Sequence, residues 1–182
     1  MGVIISKYNG PDLNIFANAQ NWNSYLAACY ARHLAGRVLE VGAGIGSITQ
    51  KVSPYFSKCA ISQWVCLEPD KQQCKRLMSL IKEHEISSYC IVQNKLLCDL
   101  PEEEMFDTIL YSDVLEHIED DKNELAMAIE HLNPGGRLIV MSPAHSWLFS
   151  ELDNLAGHYR RYSKKAITDL TPKGTDIIQI KF

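Results

Sequence analysis

The stretch Val38-Leu39-Glu40-Val41-Gly42-Ala43-Gly44-Ile45-Gly46-Ser47 constrains this chain more than any other. An apolar, strand-forming run enters three glycines at alternate positions and then a segment compatible with a helix. Glycine permits positive φ and lets a ligand lie against the backbone, while a helix start offers unpaired N–H groups to an anionic end. One tight turn explains one glycine but not three at the carboxyl end of a first strand, so a small ligand is expected there. The dinucleotide fingerprint G-x-G-x-x-G/A needs Gly or Ala where Ser47 stands, and the lysine of a P-loop is missing too. NAD and nucleoside triphosphates are therefore disfavoured.

From residue 36 onward, short β-rich runs alternate with helical patterns, the signature of a parallel sheet covered by helices. The expected strands are Arg37–Val41, Trp64–Leu67, Tyr89–Gln93, Phe106–Tyr111, Arg137–Ser142 and Asp176–Phe182. Several are apolar throughout, as strands buried on both faces should be. Asp70 is placed to cap a helix with the face Cys74, Leu77, Met78 and Ile81. Asp121 with Glu124 reads as a capping box ahead of Leu125, Ile129 and Leu132, and Asn133-Pro134-Gly135-Gly136 as the turn that follows. In the leading segment, residues 1–35, Trp22, Tyr25, Leu26, Cys29 and Tyr30 recur at helical spacing, with Gly36 placed to stop the helix. The prediction is a Rossmann-like, doubly wound, mostly parallel α/β sheet with helices on both faces. At 182 residues it fits one domain.

A second acid, Glu68, ends the run Trp64-Val65-Cys66-Leu67 about 20 residues beyond the loop, where a carboxylate accepts from ribose hydroxyls and Pro69 can cover a base. The six cysteines, at 29, 59, 66, 74, 90 and 98, form no C-x-x-C pair and have no histidine at zinc-finger spacing, so reduced thiols and no metal site are expected. The net charge of -4 argues against a surface built to grip nucleic acid, and no apolar run approaches a membrane span. The opening residues lack the pattern of a secretory signal, so the expected location is cytoplasmic. Met1-Gly2 with Ser6 fits a short acylation pattern, which two fixed positions meet by chance too readily to carry weight. The acidic clusters Glu102–Glu104 and Glu119–Asp121 read as solvated loops.

Taken in order, LEVGAGIGSIT, the strand-end acid of VCLEPD, FDTILYSDVLEHIEDD and LNPGGRLIVMSPA resemble the motifs of the class I S-adenosylmethionine-dependent methyltransferases. The resemblance covers nearly the whole chain. The later run SELDNLAGHYRRYSKKAI is similar to a mostly bacterial branch with G-H-Y-R-R-Y before the last helix. It implies S-adenosylmethionine as cofactor, with Glu40, Gly42, Ala43, Gly44 and Gly46 around its methionine part. Glu68 would then hold the ribose, Asp113 would lie near the amino group, and His117 would face the ligand. The family's acid after the third strand is replaced here by Lys95-Leu96-Leu97, which leaves backbone contacts from Leu96 and Leu97; Asp99 is either a displaced acid or part of a turn. The family also ends in a hairpin that this chain does not complete. The sheet edge at Asp176–Phe182 is thus expected to pair with another chain or to fray.

Methyl transfer from a sulfonium is an in-line displacement that needs positioning more than side-chain chemistry. A base is required only for an acceptor that carries a proton; His117, His145 and His158 are the candidates, and His145 and His158, beyond the fifth strand on the acceptor side, are favoured. The basic, aromatic run Tyr159-Arg160-Arg161-Tyr162 suggests a clamp for an anionic, small or lipid-like acceptor. The alternative is a cofactor-binding module without turnover, or a piece of a longer methyltransferase.

Overall fold

A computed structural model describes residues 18–181 of the chain. Gly2, Ser6 and the first half of the leading segment lie outside the described residues. The elements are α1 (Gln20–Ala31), β1 (Gly36–Val41), α2 (Ser47–Val52), β2 (Ile61–Leu67), α3 (Lys71–Glu83), β3 (Cys90–Gln93), β4 (Phe106–Ser112), α4 (Asp121–Glu130), β5 (Leu132–Met141), α5 (Glu151–Ala156) and α6 (Lys164–Asp169). The five strands pair in parallel, in the order β3-β2-β1-β4-β5.

The two-residue period of a strand divides the core into two layers. Val38, Trp64, Cys66 and Leu110 face α1, α2 and α3, together with Leu26, Tyr30, Val52, Leu77 and Ile81. Leu39, Val41, Val65, Leu67, Ile109 and Tyr111 face the opposite side, where Leu125 and Ala128 of α4 and the turn residue Leu115 cover them. Both faces are dry, which is why the strands read as continuous apolar runs. Helices on both faces of a parallel sheet were the expectation, and the structure has them.

Local assignments differ where one residue had two available roles. Asp70 caps α3 as expected, accepting from the amides of Gln72 and Gln73, but Met78 is exposed beside the buried Cys74, Leu77 and Ile81. Likewise Trp22 and Tyr25 stack on each other outside, while Asn23, Leu26, Ala27 and Tyr30 form the buried face of α1. Gly36 does not stop α1; it opens β1 at φ +63°, where a Cβ would stand 2.0 Å from the Asp107 carboxylate that accepts from the Arg37 amide. The cap of α4 is Asp120, not Asp121, and Asp121 is buried. The Asn133–Gly136 segment is a bulge within β5, between the pairs Phe106–Leu132 and Thr108–Arg137, so that strand starts five residues earlier than expected.

The expected strand Asp176–Phe182 is not formed: residues 175–181 have no regular structure, and Ile177 and Ile178 are exposed. A ladder needs a neighbour to bond with, and β5 is the sheet edge. All six cysteines are free thiols, with Cys66 and Cys74 buried. No helix among the described residues is long and apolar enough to cross a membrane.

Candidate functional site

In the order β3-β2-β1-β4-β5, the chain leaves β1 for one side of the sheet and later returns on the other. The crevice at the carboxyl ends of β1 and β4 is therefore the ligand site of an open α/β sheet. The glycine loop, Glu68, Asp113 and His117 all follow the carboxyl ends of β1, β2 or β4.

Gly42, Gly44 and Gly46 all have positive φ. At Gly42 (φ +67°) a Cβ would be 2.7 Å from Val114 just beyond β4, and at Gly46 (φ +87°) 2.4 Å from Leu77 of α3. The loop is thus held against both walls, and a side chain at either position would displace it. Ala43 donates to the Leu67 carbonyl at 2.9 Å, and the Gly44 amide donates to Glu68 Oε2 at 2.8 Å. Glu68 Oε1 accepts from the Asp70 amide at 2.9 Å, so one carboxylate ties the glycine loop to the start of α3. Burial pushes the pKa of Glu68 up against these two hydrogen bonds. Asn94, which the sequence did not single out, donates to the carbonyls of both Glu68 and Pro69 and fixes that corner.

Glu40 does not lie on the loop's surface. It points into the layer beneath, is 3 % exposed, and accepts through Oε2 from Thr49 Oγ1 and from Trp64 Nε1 at 2.8 Å. Burial raises its pKa to about 7, the two donors oppose the shift, and the Glu68 charge adds to it. Glu40 therefore braces the loop from beneath through Oε2. Leu97 is equally internal, at 1 % exposure in the core, and the Leu96 amide is taken by Asp99 Oδ2 at 2.9 Å. Asp99 is accordingly a turn residue and not a displaced acid. Asp113 stands exposed beyond β4 in the left-handed region at φ +55°, its amide bonded to the Met141 carbonyl.

The G-H-Y-R-R-Y run lies across the ends of β4 and β5. The Tyr159 amide donates to Glu116 O at 2.8 Å, the Tyr162 amide to Pro143 O at 2.9 Å, and the His145 amide to Tyr162 O at 2.9 Å. The Tyr162 hydroxyl donates to Asp121 Oδ2 at 2.7 Å and is buried. Arg160 pairs with Asp121 and donates to Glu119 O, and Arg161 Nε donates to Asp153 Oδ1 at 2.7 Å. Both guanidiniums are thus engaged by the protein's own acids, and of the Glu119–Asp121 cluster Asp121 is a buried anchor while Glu119 and Asp120 are exposed. Tyr159 remains half exposed, with the Arg160 guanidinium over its ring.

Asp153 is the residue that sequence reasoning missed here. It is 2 % exposed, receives His158 Nδ1 at 2.9 Å as well as Arg161, and caps α5 through Ser150. Burial alone would raise its pKa, but these donors hold it well below the carboxylate range. Ser150-x-x-Asp153 at the spacing of a capping box was the available signal. His158 packs edge-on to His117, with ring centroids 4.6 Å apart. Burial and the neighbouring His158 lower the His117 pKa to about 4, against a hydrogen bond to the Gly157 backbone. His145 is exposed and in the left-handed region at φ +63°.

Two surface hollows hold none of these residues: one of about 420 Å³ beside α3, lined by Ile45, Lys75 and Leu80, and one of about 280 Å³ at the amino ends of β1 and β4. The site is placed by the convergence of strand ends, not by either hollow.

Solved structures share this fold. The YcgJ protein from Bacillus subtilis is 19 % identical, with a TM-score of 0.67 over 82 % of this chain and 66 % of that one. The mitomycin 7-O-methyltransferase MmcR is 21 % identical, with a TM-score of 0.67 over 84 % of this chain and 46 % of that one. The glycopeptide N-methyltransferase MtfA, complexed with S-adenosylmethionine, is 19 % identical, with a TM-score of 0.58 over 70 % of this chain and 58 % of that one. The chain spans about half to two thirds of the length of these structures. No curated protein matches the sequence. A family model described as a methyltransferase domain matches residues 39–138, more than half of the 182, and the chain belongs to that family.

Proposed function

We propose that the protein transfers a methyl group from S-adenosylmethionine to an apolar, small or lipid-like acceptor, as a single domain. The observation that carries the cofactor assignment is the Glu68 carboxylate bonded to the Gly44 amide at the switch point of the sheet. Each carboxylate oxygen offers about two lone pairs, so Glu68 holds the loop and the start of α3 and still has one acceptor site per oxygen for a ribose hydroxyl. The loop from Gly42 to Gly46 carries the methionine part, Pro69 lies against the adenine and Asp113 meets the ammonium. Glu40 and Leu97 act from beneath. Leu96 and His117 border the same crevice.

The acceptor lies beyond β5. Trp147, Leu148, Phe149, Leu152 and Leu155 are all exposed there, an apolar surface next to the G-H-Y-R-R-Y run. Because Arg160 and Arg161 are engaged by Asp121 and Asp153, this apolar surface, and not an arginine clamp, selects the acceptor. Its polar end meets His158 rather than His145, since Asp153 holds the His158 ring in place. Tyr159 and Tyr162 frame that end.

Calorimetry tests the cofactor assignment. S-adenosylmethionine and its demethylated product are expected to bind and NAD is not; saturable NAD binding with no S-adenosylmethionine binding would overturn it. Glu68→Ala is expected to weaken cofactor binding by roughly 1–3 kcal/mol in a folded protein, through loss of charge-assisted acceptors. An unchanged dissociation constant would reduce Glu68 to a loop brace. With labelled cofactor, methyl transfer is expected to apolar alcohols and amines over short carboxylates and phosphates. The reverse preference would return the acceptor to the arginines.

A further inference from the structure

The turn after β4, Leu115–His117, and the residue His158 bring together three groups of different chemistry. The ligand atoms of Glu116, His117 and His158 all lie within 4.8 Å of one another, one carboxylate oxygen and two ring nitrogens. Glu116 is fully buried. Its Oε2 accepts from Ser142 Oγ at 2.8 Å, and its Oε1 is buried with no hydrogen-bond partner. Leaving a buried carboxylate oxygen unsatisfied costs on the order of 1–3 kcal/mol or more, so a group at that position calls for an occupant.

The surroundings of the trio are those of a ligand set. His158 donates Nδ1–H to Asp153 Oδ1 at 2.9 Å, which presents its lone pair at Nε2. Asp153 is itself oriented by Arg161 and by the Ser150 amide. A histidine whose second nitrogen is held by a carboxylate is the arrangement that orients metal-binding imidazoles. His117 bonds to the Gly157 backbone, and Ser142 orients Glu116. Each of the three candidate ligands thus has its own brace, two of them on α5 and its C-cap and one just beyond β5.

We infer that Glu116, His117 and His158 bind a divalent first-row transition cation of the zinc type, beyond the carboxyl ends of β4 and β5. Two imidazoles and one carboxylate suit Zn²⁺, Co²⁺ and related ions rather than Ca²⁺ or Mg²⁺, which prefer oxygen donors. Three protein ligands leave at least one coordination position open, as in catalytic rather than structural sites. This inference replaces the expectation of no metal. It deepens the proposed function and rests on it for the acceptor's place: the open position would take an oxygen or nitrogen of the acceptor.

The experiment titrates the metal-free chain with Zn²⁺ by calorimetry and with Co²⁺ by visible absorption, in the native protein, Glu116→Gln and His158→Ala. Glu116→Gln keeps the size and an acceptor for Ser142, so it reports even where His158→Ala loosens the fold; circular dichroism checks both. One ion per chain is expected, with binding weakened at least tenfold in each folded variant. The Co²⁺ spectrum should lack the near-ultraviolet thiolate band that the six cysteines would give. No binding, binding unchanged in Glu116→Gln, or a thiolate band would each overturn the assignment. Calorimetry with S-adenosylmethionine runs alongside: cofactor binding without metal binding refutes only this site, and metal binding without cofactor binding refutes only the proposed function.

Discussion

Asp153→Ala is expected to unfasten the segment from Pro143 to Tyr162 at a cost of about 3 kcal/mol. The Asp153 side chain is almost wholly inaccessible and is the shared partner of His158 and Arg161, which are themselves only 16 % and 25 % exposed. Removing the acid leaves a guanidinium partly buried without its counter-charge and an α5 start without its cap. The cost is set by those orphaned donors more than by the attraction lost. Opening should be local, because of this segment only Tyr162 enters a core layer, and the sheet and the rest of both layers lie outside the clasp. Amide exchange is therefore expected to rise roughly hundredfold at His145, Tyr159 and Tyr162, whose acceptors lie across it, while amides in β1 and β2 keep their protection. Exchange at those three amides within a few-fold of the native protein would show the acid to be replaceable. The pH dependence has a definite sign. The folded pKa lies below the ordinary 3.8, so this stabilisation is complete above that value and fades only as pH falls below it.

What the sequence made legible follows the physics of its signals. The apolar runs of β1, β2 and β4 and the three glycines announce a parallel sheet and a backbone-lined site, because both properties are written in consecutive residues. Asp70 was legible for the same reason: a cap acts two and three residues away. Asp121 and Glu116 were not, and Asp153 only in part. Asp121 meets Tyr162 and Arg160 only because the G-H-Y-R-R-Y run crosses the sheet edge, Glu116 meets Ser142 because β4 and β5 end side by side, and Asp153, legible as a cap, hid its second role toward His158 and Arg161. The basic run then looked like a surface waiting for an anion, when its counter-charges, Asp153 and Asp121, lay upstream on other elements. Asp176–Phe182 was misread for the opposite reason. Isoleucines in a polar stretch predict a strand only where a neighbouring strand exists to pair with it.

Glu40 gives the other large expected effect, a loss of stability as pH rises from about 4.5 to just above neutrality. Its carboxyl sits in the core layer beneath the glycine loop, and burial lifts its pKa from an ordinary 4.5 to about 7 despite the hydrogen bonds from Thr49 and Trp64. In the unfolded chain the same group ionises at its ordinary value. Between pH 4.5 and 7 the folded state therefore holds a proton that the unfolded state has released, and stability falls as pH rises through that window. From about pH 5 to pH 8 the loss due to this one group is about 2–3 kcal/mol, since a proton held by only one of the two states is worth about 1.36 kcal/mol across each pH unit. Glu40→Gln keeps a carbonyl for Trp64 and Thr49 but cannot ionise. It is expected to be less stable than the native protein at about pH 5, because its new amide N–H groups need partners, and to lose about 2–3 kcal/mol less on going to pH 8. Urea unfolding of both proteins at the two pH values measures the difference, and other titrating groups cancel between them. Parallel slopes would mean that Glu40 is already ionised at the lower pH. The loop would then rest on a buried charge bridging Trp64 and Thr49, rather than on a carboxyl that is half protonated near neutrality.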